Sequence, residues 1–295
     1  MLKSIQANDF VQLDVPPRRY IIDPFLPERG LIEIYARSGI GKTTFALTLA
    51  AAATLSKSFQ RWNINRPWKV LYIDGEMSTT EMQERVDAAV QYFGESAPEN
   101  LRLLCHDREE AGLPDIGSEE GQDWFEKDIM WADVIFLDNL SCLLWSGREN
   151  DADSWSTMQQ WLLRLRAAGK SIVMLHHSGK NGSSRGTSRR HDVLDTVMKL
   201  ERPFNYTQQE GAKFEVHFEK TRGFSGDDAT PIGLSHNIED GISCWEAFSI
   251  GTEKAEEIAK LLGEGFTQKE IAIKLNISQP EVSRRKQQAA ANELL

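Results

Sequence analysis

Leu31-Ile-Glu-Ile-Tyr-Ala-Arg-Ser-Gly-Ile-Gly-Lys-Thr-Thr-Phe-Ala-Leu47 decides how the rest of the chain is read. An apolar run stops at Ala36, a short loop follows, and a helix-forming run resumes from Phe45 to Leu55. Strand, tight loop and helix, with Gly41-Lys42-Thr43 at the helix start, is the spacing of a loop that wraps the phosphates of a nucleotide. Glycines let backbone N–H groups turn toward phosphate oxygens, and the positive end of the helix favours the anion. Lys42 is placed to reach the β- and γ-phosphates, and Thr43 to ligate Mg²⁺. Ala36, Arg37, Ser38, Gly39, Ile40, Gly41, Lys42, Thr43 and Thr44 are therefore the expected nucleoside-triphosphate-binding set. Ala36 stands where the pattern has its first glycine. Alanine tolerates positive φ poorly, so the loop should be entered through a conformation open to any L-residue.

Outward from this stretch, the 295 residues suffice for one large domain or two smaller ones, and the formal net charge is −10. An acidic body excludes nucleic-acid binding by the whole surface and restricts any DNA contact to local basic patches. Cys105, Cys142 and Cys244 lie far apart without metal-binding spacing, as expected of reduced thiols in a cytoplasmic protein. No secretion-type apolar core opens the chain and no apolar run approaches a membrane span, so no membrane partner is expected.

Short apolar runs alternate with helical patterns. Strands are predicted at Leu31–Tyr35, Val70–Asp74, Leu101–Cys105, Val134–Asp138 and Ser171–His177, and helices at Thr43–Leu55, Thr79–Phe93, Glu119–Met130 and Ser154–Ala168. Near-continuous apolar strands between helices predict an α/β fold with a doubly wound, mostly parallel sheet. Further strands are expected at Thr196–Glu201, Phe214–Lys220 and Ile242–Phe248. The expected division is an irregular, proline-punctuated segment packed on the core (1–30), a nucleotide-binding domain (31–249) and a small all-α module (250–295). In that module Thr267-Gln-Lys-Glu270 is a capping box, Ser278-Gln-Pro-Glu281 opens a third helix, and the short helix, turn and helix suggest a helix-turn-helix.

The chemistry is expected at the strand ends. Asp138, after four apolar residues, reads as the acid that holds Mg²⁺ together with Thr43. Asn139 follows it, so the carboxylate that activates water is sought elsewhere, and Glu76 after the neighbouring run is the candidate. The alternative for Glu76 is a helix cap, a task that Ser78 or Thr79 would perform more naturally. His177, and less so His176, stands where a γ-phosphate sensor would stand; a structural histidine is the alternative. Adjacent strand positions face opposite ways, which argues against a metal pair. The loop from Ser178 to Arg190 carries Lys180, Arg185, Arg189 and Arg190 and no acid, so it either follows a nucleic-acid backbone or is a solvated loop. Lys220 and Arg222 share a face at a strand tip, as an arginine finger or an ordinary strand end. In the third C-terminal helix Gln279, Ser283, Arg284 and Lys286 could face a DNA groove. Seven acidic and seven basic residues from Glu253 onward weigh against strong affinity, and protein contact is the alternative.

These motifs, in this order, resemble the RecA-like hexameric helicases and ATPases, specifically the plasmid-replication RepA branch related to DnaB, with a C-terminal helix-turn-helix. The resemblance covers nearly the whole chain and rests on the loop to Thr43, Glu76, Asp138, the fifth strand-end histidine, Lys220-x-Arg222 and Arg185–Leu200. It implies a RecA-like P-loop core, ATP and Mg²⁺ as cofactors, and a homo-oligomer, a hexameric ring in that family. In such a ring Lys220 and Arg222 act on the neighbour's nucleotide and the basic loop binds single-stranded DNA in the central channel. The implied activity is a DNA motor; an ATP-switched DNA-binding regulator without unwinding activity, and a small-molecule kinase, are the rivals.

Overall fold

A computed structural model describes residues 4–145, 152–179, 188–203, 206–239, 241–250, 252–275 and 277–291. In chain order the elements are α1 (Ala7–Val11), β1 (Tyr20–Ile22), β2 (Leu26–Pro27), β3 (Leu31–Ala36), α2 (Lys42–Leu55), β4 (Val70–Asp74), α3 (Thr79–Gln91) and β5 (Leu101–Cys105). Then follow α4 (Glu119–Trp131), β6 (Val134–Asp138), α5 (Leu140–Leu143), α6 (Ala152–Ala167), β7 (Ser171–His177), β8 (Thr196–Glu201), β9 (Ala212–Thr221), β10 (Ile232–Glu239) and β11 (Ile242–Phe248). Three helices close the chain: α7 (Thr252–Gly263), α8 (Gln268–Lys274) and α9 (Gln279–Ala291).

Nine strands form one sheet in the order β11-β10-β9-β8-β3-β7-β6-β4-β5. The run from β8 to β5 is parallel, and β9, β10 and β11 continue it antiparallel. This is a RecA-like α/β fold, in agreement with the doubly wound sheet read from the sequence. Strand alternation sorts the core into two layers. Ile32, Ile34 and Ala36 of β3 face the layer holding α2 and α3, whereas Leu31 and Tyr35 face the layer of α4, α5 and α6. Helix α2 is apolar on every side and almost wholly buried, as a helix enclosed by other elements must be. Phe45 on its first turn sits edge-on to Trp62, Phe214 and Trp245, which fixes the helix that carries Lys42.

Several elements depart from the sequence reading, among them the short helices α1 and α5. The first 30 residues are not irregular throughout: β1 and β2 pair, and Ile21, Ile22, Phe25 and Leu26 enter the core, while residues 4–18 remain exposed. Strand β10 was not expected, although Ile232, Leu234 and Ile238 alternate with Gly233, Ser235, Asn237 and Glu239; it pairs on both sides, with β9 and β11. In the C-terminal helices, Ile258, Leu261, Ile271, Leu275 and Val282 make an apolar cluster separate from those of the sheet. The Thr267 amide donates to Glu270 Oε2 at 2.8 Å and the Glu270 amide to Thr267 Oγ1 at 3.3 Å, the reciprocal cap that the sequence suggested.

Candidate active site

Parallel strands bring their carboxyl ends to one edge, and the loops from β3, β4, β6 and β7 converge there. They enclose a cavity of about 250 Å³ lined by Ser38, Gly39, Gly41, Lys42, Thr43, Asp74, Glu76, Met77, Arg85, Asp138 and His177. Gly39 and Gly41 hold φ of +73° and +107°. Open space surrounds Gly39, so backbone conformation alone calls for glycine there. At Gly41 a Cβ would also come within 2.7 Å of the Ala212 Cβ. Ala36 is the last residue of β3, paired with His177 and Leu200, and adopts no positive φ. The loop is thus entered from regular strand, where alanine costs nothing.

Lys42 is 6% exposed, and burial holds its ammonium below the ordinary value against the attraction of Asp138 and Glu76. Its Nζ lies 3.5 Å from His177 Nδ1. Asp138 is 3% exposed; burial raises its carboxyl, opposed by hydrogen bonds from Tyr72 and Thr43 and by Lys42. The Tyr72 hydroxyl donates to Asp138 Oδ2 at 2.7 Å, and burial beside that carboxylate keeps the phenol protonated. Glu76 accepts a 2.5 Å hydrogen bond from Asn139 Nδ2 and lies 3.9 Å from His177 Nε2. Ser78, not Glu76, caps α3, with its hydroxyl accepting from the Glu81 amide. The Asp138–Asn139 peptide is cis. His176, one residue before His177, is fully buried and lines no part of this cavity.

The other residues singled out in the sequence lie elsewhere. Lys220 and Arg222 follow β9 to the opposite edge of the sheet, beside the start of β8. From the phosphate loop they are separated by about the length of β3, roughly 20 Å at 3.3 Å per residue. The Lys220 ammonium donates to the His191 carbonyl, and Arg222 donates to the Asp192 carbonyl at 3.2 Å. Neither reaches this chain's own cavity. Lys180 and Arg185 lie outside the described residues; Arg189 and Arg190 belong to a 3₁₀ turn, Ser188–Val193. Gln279, Arg284 and Lys286 are exposed on α9 and Ser283 is half-buried.

Residues 1–183 match the AAA domain family. The chain belongs to that family. The fold is also similar to the crystal structure of the flagellar accessory protein FlaH from Methanocaldococcus jannaschii, with a TM-score of 0.51 and 16% identity over 75% of this chain and 90% of that one. No curated protein matches the chain in sequence. The AAA domain here is thus a RecA-like P-loop ATPase domain, and membership implies nucleotide use.

Within this AAA domain the sequence reading overlooked two residues that line the cavity, Arg85 and Asp74, and one that contacts it through Glu76, Asn139. Arg85 on α3 donates to Thr44 Oγ1 at 3.2 Å and lines the mouth. Asn139 was noted only as the absence of a glutamate, yet its amide both caps α5 and holds Glu76. Asp74 is 1% exposed; its Oδ2 accepts from the Met77 amide at 2.9 Å and its Oδ1 has no hydrogen-bond partner among the described residues. Burial pushes the Asp74 carboxyl up to about 7, with nearby Asp138 adding to the effect and the Met77 amide opposing it. The signal for Asp74 and Asn139 was their place at strand ends; Arg85 had none, because helix α3 alone does not reveal what its face meets. Three carboxylates thus share the cavity with Lys42 and Arg85. An orphaned acid oxygen and two under-neutralised buried acids suit a bound divalent cation, and the glycine-built loop with a desolvated lysine suits a phosphate chain.

Proposed function

We propose that the protein is a Mg²⁺-dependent ATPase that couples hydrolysis to binding or translocation of single-stranded DNA as a ring of identical subunits. The observation that carries the ATPase part is the convergence of Lys42, Thr43, Asp138 and Glu76 on one cavity. In this reading Ala36 to Thr44 hold the triphosphate, with Lys42 on its β- and γ-phosphates. Thr43 and Asp138 hold Mg²⁺, which when bound screens the charge of the transferring phosphoryl group. Glu76, aimed by Asn139, accepts the proton of the attacking water. His177, between Lys42 and Glu76, senses whether the γ-phosphate is present.

Lys220 and Arg222 are assigned to the neighbouring subunit's nucleotide. Their position at the far edge, out of reach of their own cavity, supports action in trans over action in cis. The basic segment with Lys180, Arg185, Arg189 and Arg190 is assigned to the DNA backbone, and the family resemblance favours a hexamer. A second reading rests on α9, where Gln279, Arg284 and Lys286 are exposed together: an ATP-switched DNA-binding regulator that uses α7–α9 as a helix-turn-helix. A forked-DNA strand-displacement assay, run beside ATP turnover with and without single-stranded DNA, separates the two. DNA-stimulated turnover with unwinding supports the motor; duplex-specific binding without unwinding supports the regulator. Turnover indifferent to all DNA, with no duplex binding, would remove both and leave the ATPase alone.

A further inference from the structure

Arg202, immediately after β8, lies outside the phosphate cavity, yet its guanidinium ties that cavity's loop to the neighbouring strand. One arm donates to the Gly39 carbonyl at 2.7 Å. The other donates to the carbonyls of Gly211 and Lys213 at 2.7 and 2.9 Å, at the start of β9. The guanidinium also lies over the Tyr206 ring, 3.7 Å from its centroid. Arginine suits this place because its planar fork carries several fixed donors, and a lysine could not span both strands at once.

The consequence for the phosphate loop follows from peptide geometry. In a trans peptide the carbonyl oxygen of one residue and the N–H of the next point in opposite directions. Gly39 has φ of +73° with nothing within 4 Å of where a Cβ would be, so on its side the peptide is held through its carbonyl, whereas the next residue, Ile40, is buried in the core. Gly39 and Gly41 line the cavity and Arg202 does not, so with the Gly39 carbonyl held on Arg202 the Ile40 N–H points away from Arg202.

We infer that Arg202 is a positioning residue for nucleotide binding: by holding the Gly39 carbonyl it keeps the Ile40 amide oriented toward the phosphate chain before the nucleotide arrives. This rests on the reading of the cavity as an ATP site. The amide's contribution is a charge-assisted hydrogen bond made without reorganisation, worth roughly a 10- to 100-fold change in affinity.

The test is titration of the full chain with N-methylanthraniloyl-ATP and -ADP in Mg²⁺, beside steady-state turnover. Arg202→Ala should weaken both analogues by roughly 10- to 100-fold and raise KM with little change in kcat, because the lost contact serves ground state and transition state alike. Arg202→Lys should fall between, and it carries the test if the alanine variant does not fold. Tyr206→Ala loosens the same connection but leaves the Gly39 anchor, so its affinity should stay near wild type. Wild-type affinity in Arg202→Ala, or equal losses in Arg202→Ala and Tyr206→Ala, would overturn the assignment. Binding unaffected by Lys42→Ala would instead overturn the nucleotide site itself.

Discussion

The two ends of the parallel strands bury carboxylates under opposite conditions. At the amino end Asp195 is 1% exposed, and its oxygens meet Arg18 at 2.8 Å, Arg166 at 3.5 Å and the Leu31 amide at 3.1 Å. At the carboxyl end Asp74 is equally buried, but one of its oxygens has no partner among the described residues. Asp138 beside it relies on a phenol, a hydroxyl and the attraction of Lys42. Burying a charge is costly unless partners replace its water. The amino end supplies those partners from its own chain and gains a rigid anchor for β3 and β8. The carboxyl end withholds them and leaves Asp74 and Asp138 above their ordinary values. Residue type and burial are the same at both ends; the supply of partners separates a structural acid from one that suits a ligand.

The largest expected effect tests whether the amino end is only structural. Among the described residues Arg222 makes one side-chain hydrogen bond, to a carbonyl, while its backbone is fixed by Asp195 and Arg18, so Arg222→Ala should fold. If Arg222 serves a neighbour's nucleotide, turnover should fall by roughly 10³–10⁵, the worth of an arginine finger. Mixing with Lys42→Ala protein should then restore part of the activity, because each assembly would contain some intact shared sites. Turnover that survives the substitution, or no rescue in mixtures, leaves the amino end purely structural.

At the carboxyl end Glu76→Gln keeps shape and the Asn139 contact while removing the base. Hydrolysis should drop by roughly 10²–10⁴, the range for general-base catalysis, with analogue affinity retained. Near-normal turnover in this variant would move the base to another group in the cavity. Asp195→Ala should act on stability: about 3 kcal/mol lost in urea unfolding, the low end for breaking a buried charge pair because Arg18 and Arg166 remain partly hydrated. A loss well under 1 kcal/mol would show that the anchor carries no strain and would blunt the contrast.

Much of this contrast was legible in the sequence, and the reasons are local. Strand, glycine loop and Gly41-Lys42-Thr43 are contiguous, and apolar runs ending in Asp74, Asp138 and His177 announce strand ends without knowledge of their neighbours. What the sequence withheld depends on distant partners. Nothing near Arg202 reveals the Gly39 carbonyl 163 residues earlier, and nothing near Asp195 reveals Arg18. Strand β10 was missed despite its alternation, since its pairing with β9 and β11 is set by residues outside it. The proline-rich start concealed a hairpin whose Ile21, Ile22, Phe25 and Leu26 signal burial only once the core exists to receive them.

The pH dependence bears most directly on why the two ends differ. An acid near 4 when unfolded and about 7 when folded holds a proton in the native state that the unfolded chain has released. Stability then falls as pH rises between those values and levels off above the higher one, since the slope follows the difference in bound protons. In metal-free buffer with a chelator, wild-type protein should therefore lose Tm from pH 4.5 to about 7 relative to Asp74→Asn, which cannot ionise. Asp138 is present in both proteins, so the comparison reads Asp74 together with its repulsion from Asp138. Above pH 7 the asparagine variant should be the more stable of the two, although it loses whatever the carboxylate contributes to holding a cation. Parallel melting curves at all pH values would mean that Asp74 is solvated or partnered after all. A crossover would show that the carboxyl end of the sheet gives up stability to keep an acid with one oxygen unpartnered among the described residues.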